Sequence, residues 1–408
     1  MSSINGKKLK KLLGNIVPGV ITGAADNDPS GISTYSIVGA TTGFSQLWLL
    51  ALSSPLLINI QSICARIGDV TKKGLSSVIE ARFGKRMTFT ATLILVLANT
   101  ATLSADFVGV GAALHLILPM IPTLVFLPLV AIVLWYLVVS RGDQAIRNIL
   151  FLLSLIFVAY IFSGLMVKPD WTQVLKSTFL PQIRFKVTFW LAAVAMLGTT
   201  ISPFLLYWQT SEEIEEKHTV KDAPQQTRRI AVGMIISNLV AYFIIVTCAA
   251  IFYFQGIKID HAADAALALK PVAGHYAFLL FGIGILGSGL LAIPVIASST
   301  AYAVAATFHW REGLSQKISK ARGFYSIFTA VFIFSLLISL LGIHPIKVLF
   351  YSQVINGLAT PPLLALVIIA SSSEKIMGRY KNNLREKLLG WLAVGIMAGA
   401  ALGMFIAA

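Results

Sequence analysis

The sequence predicts an all-α polytopic membrane protein, and two observations predict it: the composition of the chain and the length of its apolar runs. Of 408 residues, 57% are hydrophobic and 12% are charged, whereas about a quarter of a soluble domain is charged. Such a chain is too hydrophobic to stay solvated as a disordered protein. It also has too few charges to cover the surface of a large soluble enzyme. Its apolar runs reach about 20 residues, the length of a transmembrane helix. They do not alternate, so a strand array is excluded.

About eleven apolar runs have this length, and we number them as spans in chain order. Each is expected to form one transmembrane helix, at residues 14–40, 46–66, 88–118, 121–140, 146–167, 187–210, 229–256, 276–307, 323–342, 346–370 and 388–407. Residues 1–408 then form a single transmembrane domain. Within it, residues 1–167 and 187–370 are two five-helix halves, and residues 388–407 are an additional helix.

The charges of the loops predict the orientation. With the amino terminus in the cytoplasm, most of the 32 lysine and arginine residues fall on the cytoplasmic side, as the positive-inside rule requires. The net charge of +15 is therefore typical of cytoplasmic loops and does not indicate a nucleic-acid partner. We expect an integral protein of a prokaryotic cell membrane, with its amino terminus inside and its carboxyl terminus outside.

Three carboxylates interrupt the apolar pattern of the spans. Asp26 and Asp28 lie in the first span and Asp106 lies in the third, whereas no lysine or arginine lies deep in any span. A charged side chain at the centre of a bilayer costs about 2.5–3.5 kcal/mol or more, so an acid there indicates a functional site. Asp28 ranks above Asp26, because a helix does not point two residues this close in sequence into one cavity.

The first span also contains helix-breaking residues beside its acids. Residues 23–33 have the sequence Gly-Ala-Ala-Asp-Asn-Asp-Pro-Ser-Gly-Ile-Ser. Pro29 lacks an amide donor and clashes with the preceding turn, and Gly31 adds backbone freedom. We expect the helix to unwind here, which is tolerated at this depth only where the backbone is buried in protein or lines an aqueous cavity. A simple proline kink is the alternative.

The sixth span is interrupted at the corresponding position. Residues 196–205 have the sequence Met-Leu-Gly-Thr-Thr-Ile-Ser-Pro-Phe-Leu. Two interrupted spans at the openings of two halves indicate a transporter whose substrate binds at the breaks. An aspartate, hydroxyls and freed carbonyls are hard oxygen donors, which suit a hard cation. Neither break contains Cys or His, and Met196 is assigned to packing because it lies about two turns before Pro203.

Several motifs resemble those of the NRAMP metal transporters, over nearly the whole chain. Residues 28–31, Asp-Pro-Ser-Gly, stand where that family has Asp-Pro-Gly-Asn, and residues 202–204, Ser-Pro-Phe, stand where it has Met-Pro-His. Residues 18–19, 64–68 and 352–354 resemble its Gly-Pro-Gly, Ala-Arg-Leu-Gly and Ser-Gln-Val segments. The resemblance implies a LeuT-type fold, in which five helices are followed by five inverted helices and an eleventh.

The breaks and the resemblance together select the site. The expected metal-binding residues are Asp28, Gly31, Thr199, Ser202 and Gln353, and the expected permeation path contains Asp26, Asn27, Asn99, Asp106 and Asn356. For Gln353 and Asn356, bridging between helices is an equal alternative. For Asp106, the equal alternative is a hydrogen bond to Ser104 or to a neighbouring helix.

Two departures from the family pattern favour a particular substrate. Gly31 stands where the family has asparagine, and Ser202 stands where it has methionine, whose soft sulfur favours manganese and iron. In this respect the chain is similar to the NRAMP-related magnesium transporters. Magnesium dehydrates reluctantly and usually keeps several waters, and small residues leave room for a hydrated ion. The expected substrate is therefore Mg²⁺, together with Mn²⁺.

Further departures predict that transport is not coupled to protons. Phe204 and Gln209 stand where the family has histidines linked to proton transfer, and Asn99 stands where it has a glutamate in the third span. No basic residue lies in residues 323–342 to pair with Asp106. The alternatives are a proton-coupled Mn²⁺ or Fe²⁺ importer of the ordinary NRAMP type and a sodium-coupled carrier of an organic solute with the same fold. No enzyme activity and no cofactor are expected, and a non-transporting scaffold would need no broken helices.

Three remaining features have simple interpretations. Cys64 and Cys248 are expected to be buried small hydrophobes rather than a disulfide. His115 is expected at the outer end of a helix. The acidic run at residues 212–216 is expected to be a solvated extension of the sixth span, with the gathering of cations near an exit as the alternative.

Overall fold

The structure, a computed structural model, describes residues 27–120, 122–139, 152, 155–259 and 262–408. Within these ranges the secondary structure is helical and no strand occurs. The α-helices, numbered in chain order, are α1 Pro29–Thr42, α2 Leu47–Thr71, α3 Leu75–Phe83, α4 Lys85–Ile117, α5 Thr123–Val139, α6 Ala159–Met166, α7 Trp171–Phe179, α8 Val187–Thr200, α9 Pro203–Glu215, α10 Ala223–Cys248, α11 Ala262–Ala266, α12 Lys270–Ala273, α13 Ala277–Thr307, α14 Arg322–Ser339, α15 Pro345–Ser371, α16 Glu374–Met377 and α17 Leu384–Ala407.

The predicted spans coincide with these helices wherever the structure describes them. In the described part of the chain, eight helical stretches are long and apolar enough to cross a membrane, and they cover the second, third and sixth to eleventh spans. The shorter helices α5 and α6 fall in the fourth and fifth spans, and α1 falls in the second part of the first. The remainder of the first and fifth spans lies outside the described residues, so the full count of about eleven stays a prediction.

Buried apolar side chains form two clusters. The larger joins α1, α2, α8, α10, α15 and α17. The second joins α4, α5, α13 and α14 with the start of α9. The first, second, sixth, seventh, tenth and eleventh spans thus supply most of the larger core. The third, fourth, eighth and ninth supply most of the other. Because α1 begins against α4 and α13, the candidate site lies where the two cores meet.

Polar contacts join those helix ends that the predicted topology places on the cytoplasmic side. Arg66 in α2 forms a bidentate pair with Glu386 in α17, at 2.6 and 3.0 Å. Lys72 donates to the carbonyl of His218, and His309 Nε2 lies 3.1 Å from Glu80 Oε2. The ends of the second, sixth and eighth spans and the start of α17, the eleventh span, therefore lie at one end of the bundle. Which face of the membrane this end occupies stays a prediction.

The acidic run at the end of the sixth span differs in part from the expectation. The helix does extend through it, because α9 continues to Glu215. Glu213, however, is buried rather than solvated. Its carboxylate accepts a hydrogen bond from Gln209 at 2.8 Å and lies 2.7 Å from His218 Nδ1. The prediction of a fully solvated extension is wrong at this residue, because local polar partners compensate its burial.

Two smaller interpretations agree with the structure. Cys64 and Cys248 are both free and buried, as expected for small hydrophobes. His115 is exposed in the last turn of α4, which is the predicted position at a helix end.

Candidate functional site

The first helix begins at the predicted break. Asp28 has extended backbone and is the N-cap of α1, and its Oδ1 accepts a hydrogen bond of 2.5 Å from the amide of Gly31. Proline is favoured at the first helical position, because its missing amide would have no partner there. Asp28 is only 2% exposed. The Asp-Pro-Ser-Gly sequence thus places a buried carboxylate at the amino end of a helix inside the bundle.

The sixth span is broken at residues 201 and 202. Ile201 and Ser202 leave the helical region, with ψ angles of 68° and 142°, and α9 restarts at Pro203. The carboxyl end of α8, where the helix dipole favours a cation, faces this gap. Thr360 in α15 donates to the carbonyl of Ile201 at 3.0 Å, so this freed carbonyl already has a partner. The predicted break is confirmed.

Ser202 does not point its hydroxyl proton into the gap. Its Oγ donates to the carbonyl oxygens of Gly198 and Thr199, at 2.9 and 2.8 Å. The Ser202 oxygen keeps its lone pairs, and the Thr199 carbonyl keeps its second acceptor site. Both residues therefore retain oxygen acceptors, and their assignment as metal ligands stays a prediction.

Two contacts bring the halves of the site together. Tyr35 in α1 and Thr200 in α8 share a hydrogen bond of 3.2 Å. The backbone of α8 also meets that of α15 directly: a Cβ atom on Gly198 would lie 2.1 Å from the Gln353 carbonyl oxygen and 2.4 Å from the Gly357 nitrogen. Gly198, which precedes Thr199, is consequently in close backbone contact with Gln353 and Gly357.

The predicted path residues of α4 and α15 belong to networks of amides and hydroxyls. Asn356 donates to Thr102 and to Gln353 Oε1, both at 2.9 Å. Asn99 donates to Thr300 in α13 at 2.9 Å. The bond from Asn356 to Thr102 realises the bridging alternative for Asn356, whereas the bond to Gln353 lies within α15. These bonds do not use every polar atom. Asn99 Oδ1, Asn356 Oδ1 and Gln353 Nε2 are buried with no hydrogen-bond partner.

A second carboxylate lies at the start of α1. Asp106 in α4 accepts hydrogen bonds from the Ser30 amide at 3.2 Å and from the Ser30 hydroxyl at 2.6 Å. Ser104 instead donates to the carbonyl of Thr100. Of the two hydrogen-bond partners expected for Asp106, the structure therefore shows the one in a neighbouring helix. The role of Ser30 is one that sequence reasoning missed, although its place between Asp28 and Gly31 was a signal.

The other selected residues divide into three groups. Asp26 lies outside the described residues. Asn27 is described and buried, and its Oδ1 has no hydrogen-bond partner. Met196 packs in the larger apolar cluster and Phe204 in the smaller one, so each lies in a core. Among the described residues, no three His, Cys, Asp or Glu side chains converge on a metal position.

The sequence profile of the Nramp family, described as natural resistance-associated macrophage protein-like, matches residues 19–407. The chain belongs to the Nramp family. A relative from Caldanaerobacter subterraneus subsp. tengcongensis, named divalent metal cation transporter MntH, is 27% identical over an alignment of 406 residues. The alignment covers 96% of this chain and 92% of the relative.

Solved structures share the fold of this Nramp protein. The Eremococcus coleocola manganese transporter, in complex with an aromatic bis-isothiourea compound, matches with a TM-score of 0.71 and 20% identity, over 98% of this chain and 88% of that one. MhsT in complex with L-phenylalanine matches with a TM-score of 0.63 and 18% identity, over 97% and 98% of the two chains. The expected LeuT-type fold is confirmed, and the Nramp chain is an integral membrane transporter rather than an enzyme.

Proposed function

We propose that this Nramp protein carries divalent metal cations across the membrane, with Mg²⁺ as the favoured substrate and Mn²⁺ as the second. Membership of the family supports the class of substrate, as do the names of the relatives, a divalent metal cation transporter and a manganese transporter. The preference for Mg²⁺ is carried by one observation: the donors at the two breaks are oxygen atoms. Asp28, Thr199 and Ser202 contribute a carboxylate, a carbonyl and a hydroxyl.

Oxygen donors and small residues suit a hydrated Mg²⁺ ion. The ion prefers oxygen ligands, keeps several of its waters and needs only one or two carboxylates. Gly31 presents no side chain to the site, and Ser202 is small and already bonded to its own helix end. Buried amide atoms of Asn99, Gln353 and Asn356 lack partners and are suited to contact waters of the ion.

We further propose that transport is not coupled to proton movement. The amide networks of α4, α13 and α15 contain Asn99, Thr300, Thr102, Asn356 and Gln353, and none of these side chains titrates near neutral pH. A proton path needs groups that do. The membrane potential contributes about 2.3 kcal/mol per charge at 100 mV, and thus about twice that for a divalent ion. This energy is sufficient to concentrate Mg²⁺ without a second gradient.

Coupling is tested with the purified protein in vesicles that contain a pH-sensitive dye. A Mg²⁺ gradient is imposed while an ionophore clamps the membrane potential. We expect Mg²⁺ uptake with no more internal acidification than in vesicles without protein. Acidification that depends on the protein and follows the metal flux would contradict uncoupled transport.

Substitution of Ser202 by methionine is expected to move the preference from Mg²⁺ toward Mn²⁺. The thioether adds a soft donor and occupies space that water fills beside a hydrated ion. Competition between the two ions in uptake measures the shift, which we expect to reach about tenfold in relative affinity. Ser202→Ala is the matched control, since it removes the same hydroxyl without adding sulfur. If competition is unchanged in Ser202→Met, residue 202 does not set selectivity.

A proton-coupled Mn²⁺ importer of the ordinary type is the second candidate, and the names of the two metal-transporting relatives favour it. It differs from the first proposal in two measurable respects, the ion preferred and the acidification. The sodium-coupled carrier of an organic solute has less support. The neighbour with bound L-phenylalanine indicates the fold alone, and Asp28 would repel the carboxylate of such a solute.

A further inference from the structure

Asp106 is fixed against the beginning of α1 by two bonds to one oxygen. The amide and the hydroxyl of Ser30 both donate to Asp106 Oδ1, at 3.2 and 2.6 Å. Ser30 lies two residues after Asp28, whose own carboxylate caps the same helix. Two carboxylates from different spans therefore meet at one helix start.

Packing holds this arrangement rigidly. Pro29 lies between α4 and α13: a Cβ atom on Gly109 would be 2.8 Å from Pro29 Cβ, and one on Gly289 would be 3.1 Å from Pro29 Cγ. Asp106 and Gly109 are three residues apart in α4, so they share a helix face. The face that clamps Pro29 therefore also presents Asp106 to the break.

The second oxygen of Asp106 has no partner. Oδ2 is buried without a hydrogen bond, on a side chain that is 0% exposed. Among the ion pairs of the described residues, none includes Asp106. An isolated buried carboxylate costs several kcal/mol.

We propose that Asp106 is a second carboxylate of the cation site, that its Oδ2 binds water molecules of the hydrated ion, and that Ser30 is its positioning residue. This inference rests on the proposed transport of Mg²⁺. Asp28 and Asp106 together carry two negative charges, which balance one divalent ion. A monovalent ion would leave one buried charge uncompensated, so the pair selects for divalent cations.

Ser30 makes this arrangement particular to the chain. The family motif has glycine at the second position after the aspartate, and glycine supplies only a backbone donor. The added hydroxyl makes the shorter of the two bonds to Asp106. It binds one carboxylate oxygen and leaves the other for a ligand.

The test uses a probe that binds only through its outer shell. Hexaamminecobalt(III) has the shape of hydrated Mg²⁺, but it does not exchange its six ligands. Binding of Mg²⁺ to the purified protein in detergent is measured by calorimetry, with and without this complex. We expect the complex to compete with Mg²⁺ in the wild-type protein. Asp106→Asn should weaken both ligands about tenfold or more, and Ser30→Gly should weaken both by a smaller factor.

The control variant is Ser104→Ala, in the same helix as Asp106. Ser104 donates to a carbonyl of its own helix, and we expect wild-type binding. Asparagine keeps the shape of aspartate and an acceptor for Ser30, and the thermal transition and elution profile report whether each variant is folded. If Asp106→Asn does not fold, the affinity of Ser30→Gly for Mg²⁺ and for the cobalt complex tests the inference instead.

Three outcomes would overturn the inference. Wild-type affinity in Asp106→Asn, or in Ser30→Gly where that variant decides, would show that the second carboxylate does not hold the ion. A wild-type protein that binds Mg²⁺ but not hexaamminecobalt(III) would show that the ion sheds its waters. If the wild-type protein neither binds nor transports Mg²⁺, the proposed function fails and the inference fails with it.

Discussion

Substitution of Asp28 by asparagine is expected to abolish transport of divalent cations and to leave the protein folded. Asparagine is as good an N-cap as aspartate, so the bond to the Gly31 amide has an equivalent and α1 still begins at Pro29. Only the charge is lost. Removal of one partner from a buried charged pair costs about 3–5 kcal/mol, so Mg²⁺ uptake should fall at least about a hundredfold.

Uptake into vesicles and the thermal transition in detergent measure the two halves of this prediction. Ser36→Ala is the control in the same helix, because the Ser36 hydroxyl donates to the carbonyl of Ile32 within that helix. We expect this control to transport at the wild-type rate. An Asp28→Asn protein that takes up Mg²⁺ as fast as the wild type would remove the break of the first span from the mechanism.

The second large effect is expected at the contact between the broken sixth span and the tenth. In Gly198→Ala, the new Cβ would lie 2.1 Å from the carbonyl oxygen of Gln353 and 2.4 Å from the nitrogen of Gly357. Backbone atoms on both sides prevent a local adjustment, so α8 and α15 must separate. Overpacking of this kind costs about 1–3 kcal/mol. The shift also displaces Thr199 relative to Gln353, and we expect transport to fall about tenfold or more.

Gly395→Ala is the matched control for this substitution. Gly395 lies in α17, and a Cβ atom there would meet no other atom within 4 Å. We expect Gly395→Ala to retain the wild-type thermal transition and uptake rate, whereas Gly198→Ala should lower both. Equal behaviour of the two variants would mean that α8 and α15 do not need this close approach.

The helices and the breaks were accessible from the sequence, because their causes are local. Apolar runs longer than a strand can only be helices in a bilayer. Pro29 and Pro203 lack an amide donor, and each is the first residue of a helix in the structure. A helix start that depends on one proline and its neighbours in sequence can therefore be predicted from the sequence.

The contacts within the site were not accessible, because they depend on residues far apart in the chain. Ser30 and Asp106 are separated by 76 positions, and Asn356 and Thr102 by 254. Sequence reasoning recognised Asp106 and Asn356 as unusual polar residues in apolar spans. It left several partners open for each, because only the packing of the helices selects one of them.

The end of the bundle at which α9 and α13 finish illustrates the same limit. From the sequence, the loop after α13 contributes only its charges, which help to predict the orientation. In the structure, Glu312 of this loop approaches Glu215. Burial, together with the nearby charge of Glu215, raises the pKa of Glu312 to about 7. Tyr302 donates to Glu215 at 2.7 Å, so these three residues form one polar cluster. Their approach follows from the packing of α9 against α13, which no local pattern predicts.

Uptake of Mg²⁺, Mn²⁺ and Ca²⁺ by vesicles that contain the purified protein decides whether the protein carries Mg²⁺. The three ions are offered singly and in competition, at a clamped membrane potential, and empty vesicles give the background. We expect saturable Mg²⁺ uptake that an inside-negative potential accelerates. Mn²⁺ should compete with this uptake, and Asp28→Asn should abolish it. Uptake of Mn²⁺ that an excess of Mg²⁺ does not inhibit, together with background uptake of Mg²⁺, would contradict this expectation.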